Sequence, residues 1–274
     1  MDIANHRLKD SGVKFRESPN HGGIFAAGLP DSIVIHYTAG SSAASSVETL
    51  CRPESKASAH LVVGRDDSVT QLVPFNTIAW HAGASSYQGR SGFNNFSIGI
   101  EIDNAGSLTK SGDEFVAWFG RGFPASEVVE AVHRNESTPG FWLRYTEGQI
   151  ATVSAICEAL IAAYPITMIL GHEEIAPGRK RDPGPAFPLD KLRDRLLVRD
   201  RAETEAFEPT SRVPMGLVNT SLLNVRAGPD ANSSTVMPPL RLGTLVTVLQ
   251  EQSGWYEVEI KNRGWVKKEF LKTA

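Results

Sequence analysis

Residues 32–38 read SIVIHYT, a run rich in β-branched residues that predicts a strand and sets the fold class of the chain. Runs of the same kind recur downstream as SAHLVV at 58–63, VTQLVPF at 69–75 and FSIGIEI at 96–102. Gly, Pro, Asn or Asp bounds these runs, as is typical where strands give way to turns. Segments with a helical pattern alternate with them, so we predict an α/β fold in which helices pack against a central sheet.

The clearest predicted helix begins after Thr146, where residues 146–149 form a capping-box pattern. Apolar side chains follow at spacings of three and four and predict one face packed in the core: Ile150, Val153, Ile156, Cys157, Leu160 and Ile161. Before this helix lies a Gly-punctuated stretch, residues 104–145, which we call the insertion. We expect the insertion to leave the central sheet and to form one or two helices of its own.

Charge and pattern both change near residue 211, which indicates a second domain. Residues 1–211 carry 20 Lys and Arg against 26 Asp and Glu, a net charge of −6, whereas residues 212–274 carry 8 against 5, a net charge of +3. A charge-rich helical pattern over 189–207 fades into EPTSRVP, in which prolines break the helix. We therefore predict a first domain at 1–200, a linker at 201–213 and a small all-β domain at 214–274.

The composition of the 274 residues is that of a soluble globular protein, with 41% hydrophobic and 22% charged residues. The net charge of −3 offers no basic surface to a polyanion, so no nucleic-acid partner is expected. Cys51 and Cys157 are too few and too far apart for a disulfide framework or a zinc knuckle, and we expect two buried thiols. No apolar run approaches the roughly 18 residues of a membrane span, so no membrane insertion is expected.

Two histidines and one aspartate are candidate metal ligands. His36 lies on the same strand face as Val34 and Thr38, a position that also suits a buried core histidine. His172 follows the apolar run 168–171 and begins a loop that contains Asp182. Two imidazoles and a carboxylate that converge from a strand and a loop would suit zinc and leave a fourth position for water, as in catalytic zinc sites.

Six motifs, in order, carry a family resemblance: IHYTAG at 35–40, SAH at 58–60, WHAG at 80–83, YQGR at 87–90, NNFSIGIEI at 94–102 and GHEEIAPGRKRDPG at 171–184. They resemble the zinc-dependent N-acetylmuramoyl-L-alanine amidases of the amidase-2 type, the superfamily of AmpD and the peptidoglycan-recognition proteins. The resemblance spans about residues 30–195 and implies a mixed central sheet flanked by helices. The insertion matches none of these motifs. Two roles are equally compatible with it: it could form part of the wall of the substrate groove, or it could be a surface that binds a partner.

The resemblance implies roles for five residues. His36, His172 and Asp182 match the family's ligands to one zinc ion, Glu101 matches the acidic residue that acts on the attacking water, and Lys180 matches the cation that steadies the oxyanion. These groups supply what amide hydrolysis needs, here between the lactyl group of N-acetylmuramic acid and L-alanine of the stem peptide. From the pattern alone, Glu101 is also compatible with a solvent-facing carboxylate and Lys180 with a solvated loop.

Five further residues are candidates for the substrate groove. The family places the counterparts of His60 and His81 near the metal without making them ligands. The rings of Trp80 and Tyr87 would pack on sugar or peptide, and Arg90 would bind a stem-peptide carboxylate. Trp and Tyr side chains are as often buried in a core as they are in contact with a ligand, and Arg90 is equally compatible with a solvated loop. The other histidines match no family motif and are expected at the surface: His6, His21 and His133.

The C-terminal part of the chain has a resemblance of its own. The succession NVRAGP, LxxGTxVxV, GWYxV and GWV resembles the bacterial SH3-like (SH3b) domain over about residues 214–272. Such domains often bind cell-wall peptide or glycan, and some pack only against their own enzyme. We expect this one to target the cell wall.

Three functions are weighed. A zinc amidase that cuts peptidoglycan is favoured, because receptors on the same fold typically lack a full ligand set and here all three ligand positions are filled. The alternative is a non-catalytic peptidoglycan-binding receptor. A cysteine peptidase is disfavoured, because Cys157 lies on the apolar face of a helix and Cys51 precedes Arg52-Pro53 at a helix end.

The first residues, MDIANHRLKD, contain no apolar stretch behind a basic flank, so we expect a protein made in the cytoplasm without a signal peptide. Action on peptidoglycan or muropeptides would then require non-classical release or delivery. A recycling enzyme, a bacteriolytic endolysin and a secreted effector are all compatible with this, although a wall-binding domain argues against recycling. The sequence identifies no delivery or immunity partner.

Overall fold

The computed structural model describes residues 1–197, 215–218, 222–241, 244–252, 254–259, 263–267 and 271–273. The chain divides into two compact units, Met1–Glu205 and Ala206–Ala274, which are described separately. The predicted linker at 201–213 and the end of the predicted helix at 198–207 lie outside the described residues. No helix among the described residues combines the length and the apolar character needed to cross a membrane.

The first unit contains seventeen strands within the described residues, most of them short: β1 Asp2–Ala4, β2 Arg7–Lys9, β3 Val13–Phe15, β4 His21–Ile24, β5 Ser32–Tyr37, β6 Leu61–Val63, β7 Val69–Gln71, β8 Thr77–Ala79, β9 Ser86–Tyr87, β10 Arg90–Ser91, β11 Ser97–Ile102, β12 Ser107–Ser111, β13 Glu114–Val116, β14 Gly122–Phe123, β15 Val128–Val132, β16 Pro139–Leu143 and β17 Met168–Gly171. Its α-helices are α1 Ala43–Leu50, α2 Glu147–Ala163, α3 His172–Ile175 and α4 Leu189–Leu197. Short 3₁₀ helices span Pro53–Ser55, Phe93–Asn95 and Ala125–Glu127.

The central sheet has six strands in the order β17-β5-β11-β6-β7-β3. The first four are mutually parallel, β7 runs antiparallel to β6, and β3 is parallel to β7. The predicted α/β fold with a mixed central sheet is therefore confirmed. The strand predicted at 69–75 ends early, at Gln71, and the Pro74 that follows has no N–H to donate to a ladder.

Both faces of the central sheet are buried. On one face, Ile33 and Ile35 of β5 pack in the main core with the apolar side of α2. Helix α2 begins as predicted, with the capping box between Thr146 and Gln149. The predicted apolar face is confirmed, because four of its residues are buried and two pack partly buried against the core: Val153, Ile156, Cys157 and Leu160, then Ile150 and Ile161.

The expectation of helices in the insertion is wrong, since its described residues form a five-stranded antiparallel sheet in the order β14-β13-β12-β16-β15 and only a three-residue 3₁₀ helix. The segment SEVVEAVH contributes strand β15, because its β-branched valines fit a half-buried pleated surface better than a helix. The insertion sheet has an apolar cluster of its own: Ala105, Leu108, Phe115, Ala117, Phe123, Val128 and Leu143.

The second unit is a small all-β domain, as predicted. Its described strands are β18 Met215–Val218, β19 Leu222–Arg226, β20 Thr235–Arg241, β21 Leu245–Gln252, β22 Trp255–Glu259, β23 Arg263–Lys267 and β24 Leu271–Thr273. They pair antiparallel in the order β20-β19-β23-β22-β21-β18-β24. The described core residues of this unit are mainly aliphatic: Val218, Leu223, Val225, Leu240, Val246, Val248, Tyr256 and Val258.

Candidate metal centre

Two of the predicted site residues lie side by side on neighbouring strands. The parallel register of β5 and β11 pairs His36 with Glu101 and Val34 with Gly99. Side chains two residues apart on a strand share a face, so His36 and Glu101 project from the face of the sheet that carries Val34. This face lies opposite the main core on α2, and the strand ends that carry the pair are the carboxyl ends.

The third strand of this set delivers His172. Strand β17 pairs with β5 on the other side, and His172 is the first residue of α3, directly after β17. The loop that follows folds back, because Glu173 donates its backbone N–H to the carbonyl of Asp182 at 2.8 Å. That backbone bond returns Asp182 to the position of His172, ten residues earlier in the chain.

Three donor atoms converge at this point. His36 Nδ1, His172 Nδ1 and Asp182 Oδ2 lie 2.9 Å from one another in all three pairs. All three side chains are buried. The structure therefore brings together the three ligands that the sequence predicted.

The hydrogen bonds on the far side of each ring indicate which nitrogen is free to bind a cation. His172 Nε2 lies 3.0 Å from the carbonyl oxygen of Ala82, which can only accept, so the ring proton sits on Nε2. In the neutral imidazole this leaves a lone pair on Nδ1 of His172, directed at the Asp182 carboxylate.

The same reasoning applies to His36 through a second histidine. His81 Nε2 lies 3.2 Å from the carbonyl oxygen of Ser97 and donates to it, so His81 Nδ1 carries a lone pair. That lone pair lies 3.0 Å from His36 Nε2, which therefore carries the proton and leaves Nδ1 free. Burial, reinforced by the neighbouring His172, lowers the pKa of His36 to about 4, which keeps the ring neutral at physiological pH.

The donor set fits a divalent metal ion. Two imidazole lone pairs and a carboxylate within 2.9 Å repel one another unless a cation lies between them. Two nitrogens and one oxygen are ligands that zinc accepts, and the backbone carbonyl of Ala82 behind His172 is a usual partner of a metal-binding histidine. His36, His172 and Asp182 are thus the residues that would hold the ion.

Glu101 has the properties of a reactive carboxyl group. Its Oε2 is buried and has no hydrogen-bond partner among the described residues. Burial, with the negative charge of Asp182, raises the pKa of Glu101 well above its ordinary value, while the positive charge of Lys180 acts in the opposite direction. Lys180 is half-buried, and its charge also lowers the pKa of His36, so its field reaches the site.

The structure places the other candidate residues in different surroundings. His60 is buried, with Nε2 2.9 Å from the Thr77 carbonyl and Nδ1 accepting from the Gly99 N–H at 3.0 Å. Trp80 is 37% exposed and Tyr87 is partly buried against the cluster around Val34. These contacts tie His60 to the scaffold and leave part of Trp80 open to a ligand.

Arg90 is not brought to the donor cluster. It forms an ion pair with Asp31 at 2.9 Å and lies over the ring of Phe96, 4.2 Å from its centroid. Asp31 directly precedes Ser32, so this pair sits at the start of β5, whereas His36 lies near the carboxyl end of that strand.

The expectation that His133 lies at the surface is wrong, whereas His6 and His21 are exposed as expected. His133 is 1% exposed, and its Nε2 lies 2.6 Å from Oε2 of Glu173, the residue after the candidate ligand His172. The pair joins the insertion to the loop that carries His172. The partner lies 40 residues away along the chain, so no local pattern in the sequence indicated it.

The two cysteines are free thiols, as predicted. Burial raises the pKa of Cys157 to about 12, and it also raises the pKa of Cys51. Cys157 is fully buried, as expected, but the expectation of burial is wrong for Cys51, which is only half-buried at the C-terminal end of α1. A raised pKa leaves little thiolate at neutral pH, so neither residue has the setting of a nucleophile.

Comparison with known proteins gives two family matches and several curated relatives. Residues 27–185 match the N-acetylmuramoyl-L-alanine amidase family (Amidase_2), and residues 221–272 match the bacterial SH3 domain family. The chain is 37% identical over 145 residues to the 1,6-anhydro-N-acetylmuramyl-L-alanine amidase AmpD of Escherichia coli strain K12, which covers 52% of this chain and 59% of that protein. It is 33% identical over 169 residues to the N-acetylmuramoyl-L-alanine amidase AmiD of the same strain, covering 58% and 51%.

A crystal structure of an AmpD derivative aligns with 28% sequence identity over 70% of this chain and 98% of that chain, with a TM-score of 0.48. The chain spans 59% of the length of the AmpD protein of Escherichia coli. The family match covers more than half of the residues of this chain. The chain therefore belongs to the N-acetylmuramoyl-L-alanine amidase family (Amidase_2), and a bacterial SH3 domain follows its amidase domain.

Proposed function

We propose that this protein is a zinc-dependent amidase that hydrolyses the bond between the lactyl group of N-acetylmuramic acid and L-alanine of the peptidoglycan stem peptide. The observation that carries the proposal is the convergence of two imidazole lone pairs and one carboxylate beside a buried carboxyl group that has an unpartnered oxygen. Relatives named as amidases of the same bond class support it.

One zinc ion per chain, held by His36, His172 and Asp182, would supply Lewis acidity. It would lower the pKa of a water molecule, so that the water can lose a proton and attack near neutral pH. Glu101 accepts a proton from the attacking water and returns it to the nitrogen of the departing L-alanine. Its raised pKa suits both steps, because a carboxyl group that titrates closer to neutrality exchanges protons with both partners efficiently.

Lys180 has an electrostatic role in this proposal. Negative charge develops on the amide oxygen when water attacks, and a fixed cation stabilises it more strongly in a partly buried site than in water. The positive charge of Lys180 acts on both Glu101 and His36, as the negative charge of Asp182 does, which supports a position of Lys180 close to the reacting bond.

Intact cell wall, rather than a soluble muropeptide, is the substrate that we propose. A bacterial SH3 domain gives the chain a second surface that can hold it on an insoluble polymer. A bacteriolytic endolysin or a secreted effector fits such a substrate better than a recycling enzyme does. Removal of residues 212–274 is expected to weaken co-sedimentation with intact sacculi and to leave cleavage of soluble muropeptides unchanged, and unchanged sedimentation would contradict wall targeting.

Mass spectrometry of the products released from purified sacculi tests the reaction. Released peptides with new free L-alanine amino termini, together with intact glycan chains, would support the amidase if they are lost with a chelator and restored by added zinc. Binding without any released product would support a non-catalytic receptor. Cleavage that survives the chelator but stops with a thiol reagent would support a cysteine peptidase.

A further inference from the structure

The insertion contacts the chain segment that carries two of the three candidate ligands. We call residues 172–184 the ligand loop, because the segment begins at His172 and contains Asp182 near its end. The tip of the loop, residues 177–179, is exposed, whereas both of its ends are buried. The spacing between the two candidate ligands therefore depends on what holds the ends of the loop together.

His133 of the insertion reaches both ends of the ligand loop with one N–H group. Its Nε2 lies 2.6 Å from Oε2 of Glu173 and 3.2 Å from the carbonyl oxygen of Arg181. A carbonyl oxygen can only accept, so the ring proton is on Nε2. Glu173 directly follows His172, and Arg181 directly precedes Asp182. This single N–H group thus joins the chain neighbours of both candidate ligands.

Glu173 extends the connection into the loop backbone. Its carboxylate accepts from the backbone N–H of Gly184 at 3.1 Å, and its own backbone N–H donates to the carbonyl oxygen of Asp182 at 2.8 Å. Arg134 contacts the other carboxylate oxygen, with its Nε 2.8 Å from Oε1, and Asn135 donates to the Glu173 carbonyl oxygen at 2.9 Å. The Glu173 side chain is 2% exposed, so water competes little for these contacts.

The ring of Trp142, on β16 of the insertion, packs against the end of the ligand loop. His133 stacks on this ring, with centroids 5.5 Å apart and planes at 20°, and the guanidinium carbon of Arg181 lies 4.7 Å from its centroid. Gly184 approaches the ring so closely that a Cβ atom there would lie 2.9 Å from it. Trp142 is 1% exposed, so the end of the loop lies on a buried and closely packed surface of the insertion.

Support of this kind matters for a metal site, because its donor atoms repel one another until the ion is bound. Nδ1 of His172 and Oδ2 of Asp182 lie 2.9 Å apart, a distance that an unsupported loop would increase. A scaffold that holds the donors in place beforehand lowers the ordering cost of binding and so raises the affinity for the ion.

We propose that residues 133–135 of the insertion, which we call the brace, hold His172 and Asp182 at the spacing that a metal ion needs, with His133 as the central positioning residue. The brace acts through the chain neighbours of the candidate ligands, without contact to the ion or to substrate. The inference rests on the proposed zinc-dependent function. It gives the insertion a role besides the two that the sequence left open, a wall of the substrate groove and a partner surface.

Zinc affinity, measured by competition with a chromogenic chelator, tests the brace in the full chain. His133→Ala removes the N–H group that joins the two ends of the ligand loop and should lower the affinity about tenfold, as the loss of a supporting contact in a metal site does. His133→Gln keeps an N–H group of similar reach and should recover most of the affinity. Asn135→Ala, at an exposed position, should lower the affinity by a smaller factor.

Phe123→Ala is the matched control for a general loss of stability. Phe123 is buried in the apolar cluster of the same insertion, on β14, at the opposite edge of the insertion sheet from β15, the strand that precedes His133. The variant loses a buried ring and should keep its zinc affinity. The visible absorption of the cobalt-loaded chain reports ligand geometry at full occupancy, and it should change in His133→Ala but not in Phe123→Ala.

Hydrogen exchange of the metal-free chain tests the brace without any metal. The backbone amides of Glu173 and Gly184 have their acceptors within the ligand loop, and they should exchange faster in His133→Ala than in the unmodified chain or in Phe123→Ala. Unchanged zinc affinity in His133→Ala, an equal loss in Phe123→Ala, or unchanged exchange of these amides would overturn the proposal. Failure of the unmodified chain to bind zinc would contradict the proposed function instead, and hydrogen exchange would still decide on the brace.

Discussion

His81 accepts the Nε2 proton of His36 across 3.0 Å, and this contact decides which nitrogen of His36 faces the other two candidate ligands. His81 is oriented in turn by the carbonyl oxygen of Ser97 and by the close approach of its ring to Gly99, where a Cβ atom would lie 2.4 Å from the ring. Gly99, in the middle of β11, thus leaves room for His81, which orients the ring of His36 on β5.

Replacing His81 should weaken metal binding without removing a ligand. His81→Ala takes away the acceptor for His36 Nε2, and loss of such a supporting partner typically lowers metal affinity about 10- to 100-fold. Competition with a chromogenic chelator measures the zinc affinity. His81→Asn, which can restore an acceptor, should recover part of it, and the exposed His21→Ala is the control. Unchanged zinc affinity in His81→Ala would contradict this role.

Glu101→Gln should separate binding from chemistry. The amide matches the carboxyl group in size but cannot shuttle a proton, so turnover should fall roughly 10²- to 10⁴-fold. Zinc affinity should stay close to that of the unmodified chain, because Glu101 is not one of the three converging ligands. Turnover within a few-fold of the unmodified protein would rule out the proton-transfer role.

His60 should make the folded state sensitive to acid. Burial lowers its pKa to about 4, partly offset by the Thr77 carbonyl, whereas an unfolded histidine titrates near 6.5. Between these values the unfolded chain binds a proton that the folded chain does not, so the free energy of unfolding falls as the pH falls through this window, by up to about 3 kcal/mol.

Urea denaturation of the metal-free protein between pH 4.5 and 7.5 measures this effect. His60→Gln should show a shallower pH dependence than the unmodified chain, because the variant lacks this one titrating group. The buried His36 contributes in the same direction and remains in both proteins. Identical slopes for the two proteins would contradict the assignment.

The contact between His133 and Glu173 should contribute strongly to stability. His133→Ala leaves the buried Glu173 carboxylate without one of its partners, a change that typically costs about 3 kcal/mol. Chemical denaturation should show a loss of this size, whereas Val132→Ala at the exposed neighbouring position should stay within about 0.5 kcal/mol of the unmodified protein. If both variants lowered the free energy of unfolding by a similar, small amount, the contact between His133 and Glu173 would not be an important contribution to stability.

The sequence allowed prediction of those parts of the structure that depend on local pattern or on motifs. The strand around His36, the capped helix after Thr146 and the small all-β domain follow from periodicity and turn residues. The convergence of His36, His172 and Asp182 was predicted from their places on a strand and a loop and from the family resemblance, although the residues are separated by up to 146 positions.

The rest depends on contacts that local pattern does not encode. The valines of 128–132 satisfy both a helical and an extended pattern, and pairing with β16 decides for the strand. His133 is buried by the distant Glu173, and Trp118 is placed by the carbonyl group of Ala39, 79 residues earlier. Partners of this kind become visible only in the folded chain.

The most direct test of the central claim is a zinc titration of the metal-free chain during cleavage of a muramoyl tripeptide, with release of the free L-alanine amino terminus as the signal. The account predicts that the rate rises with zinc and levels off at one equivalent per chain, and that Asp182→Ala loses both tight zinc binding and cleavage. Full activity before any zinc is added, or undiminished activity in Asp182→Ala, would contradict it.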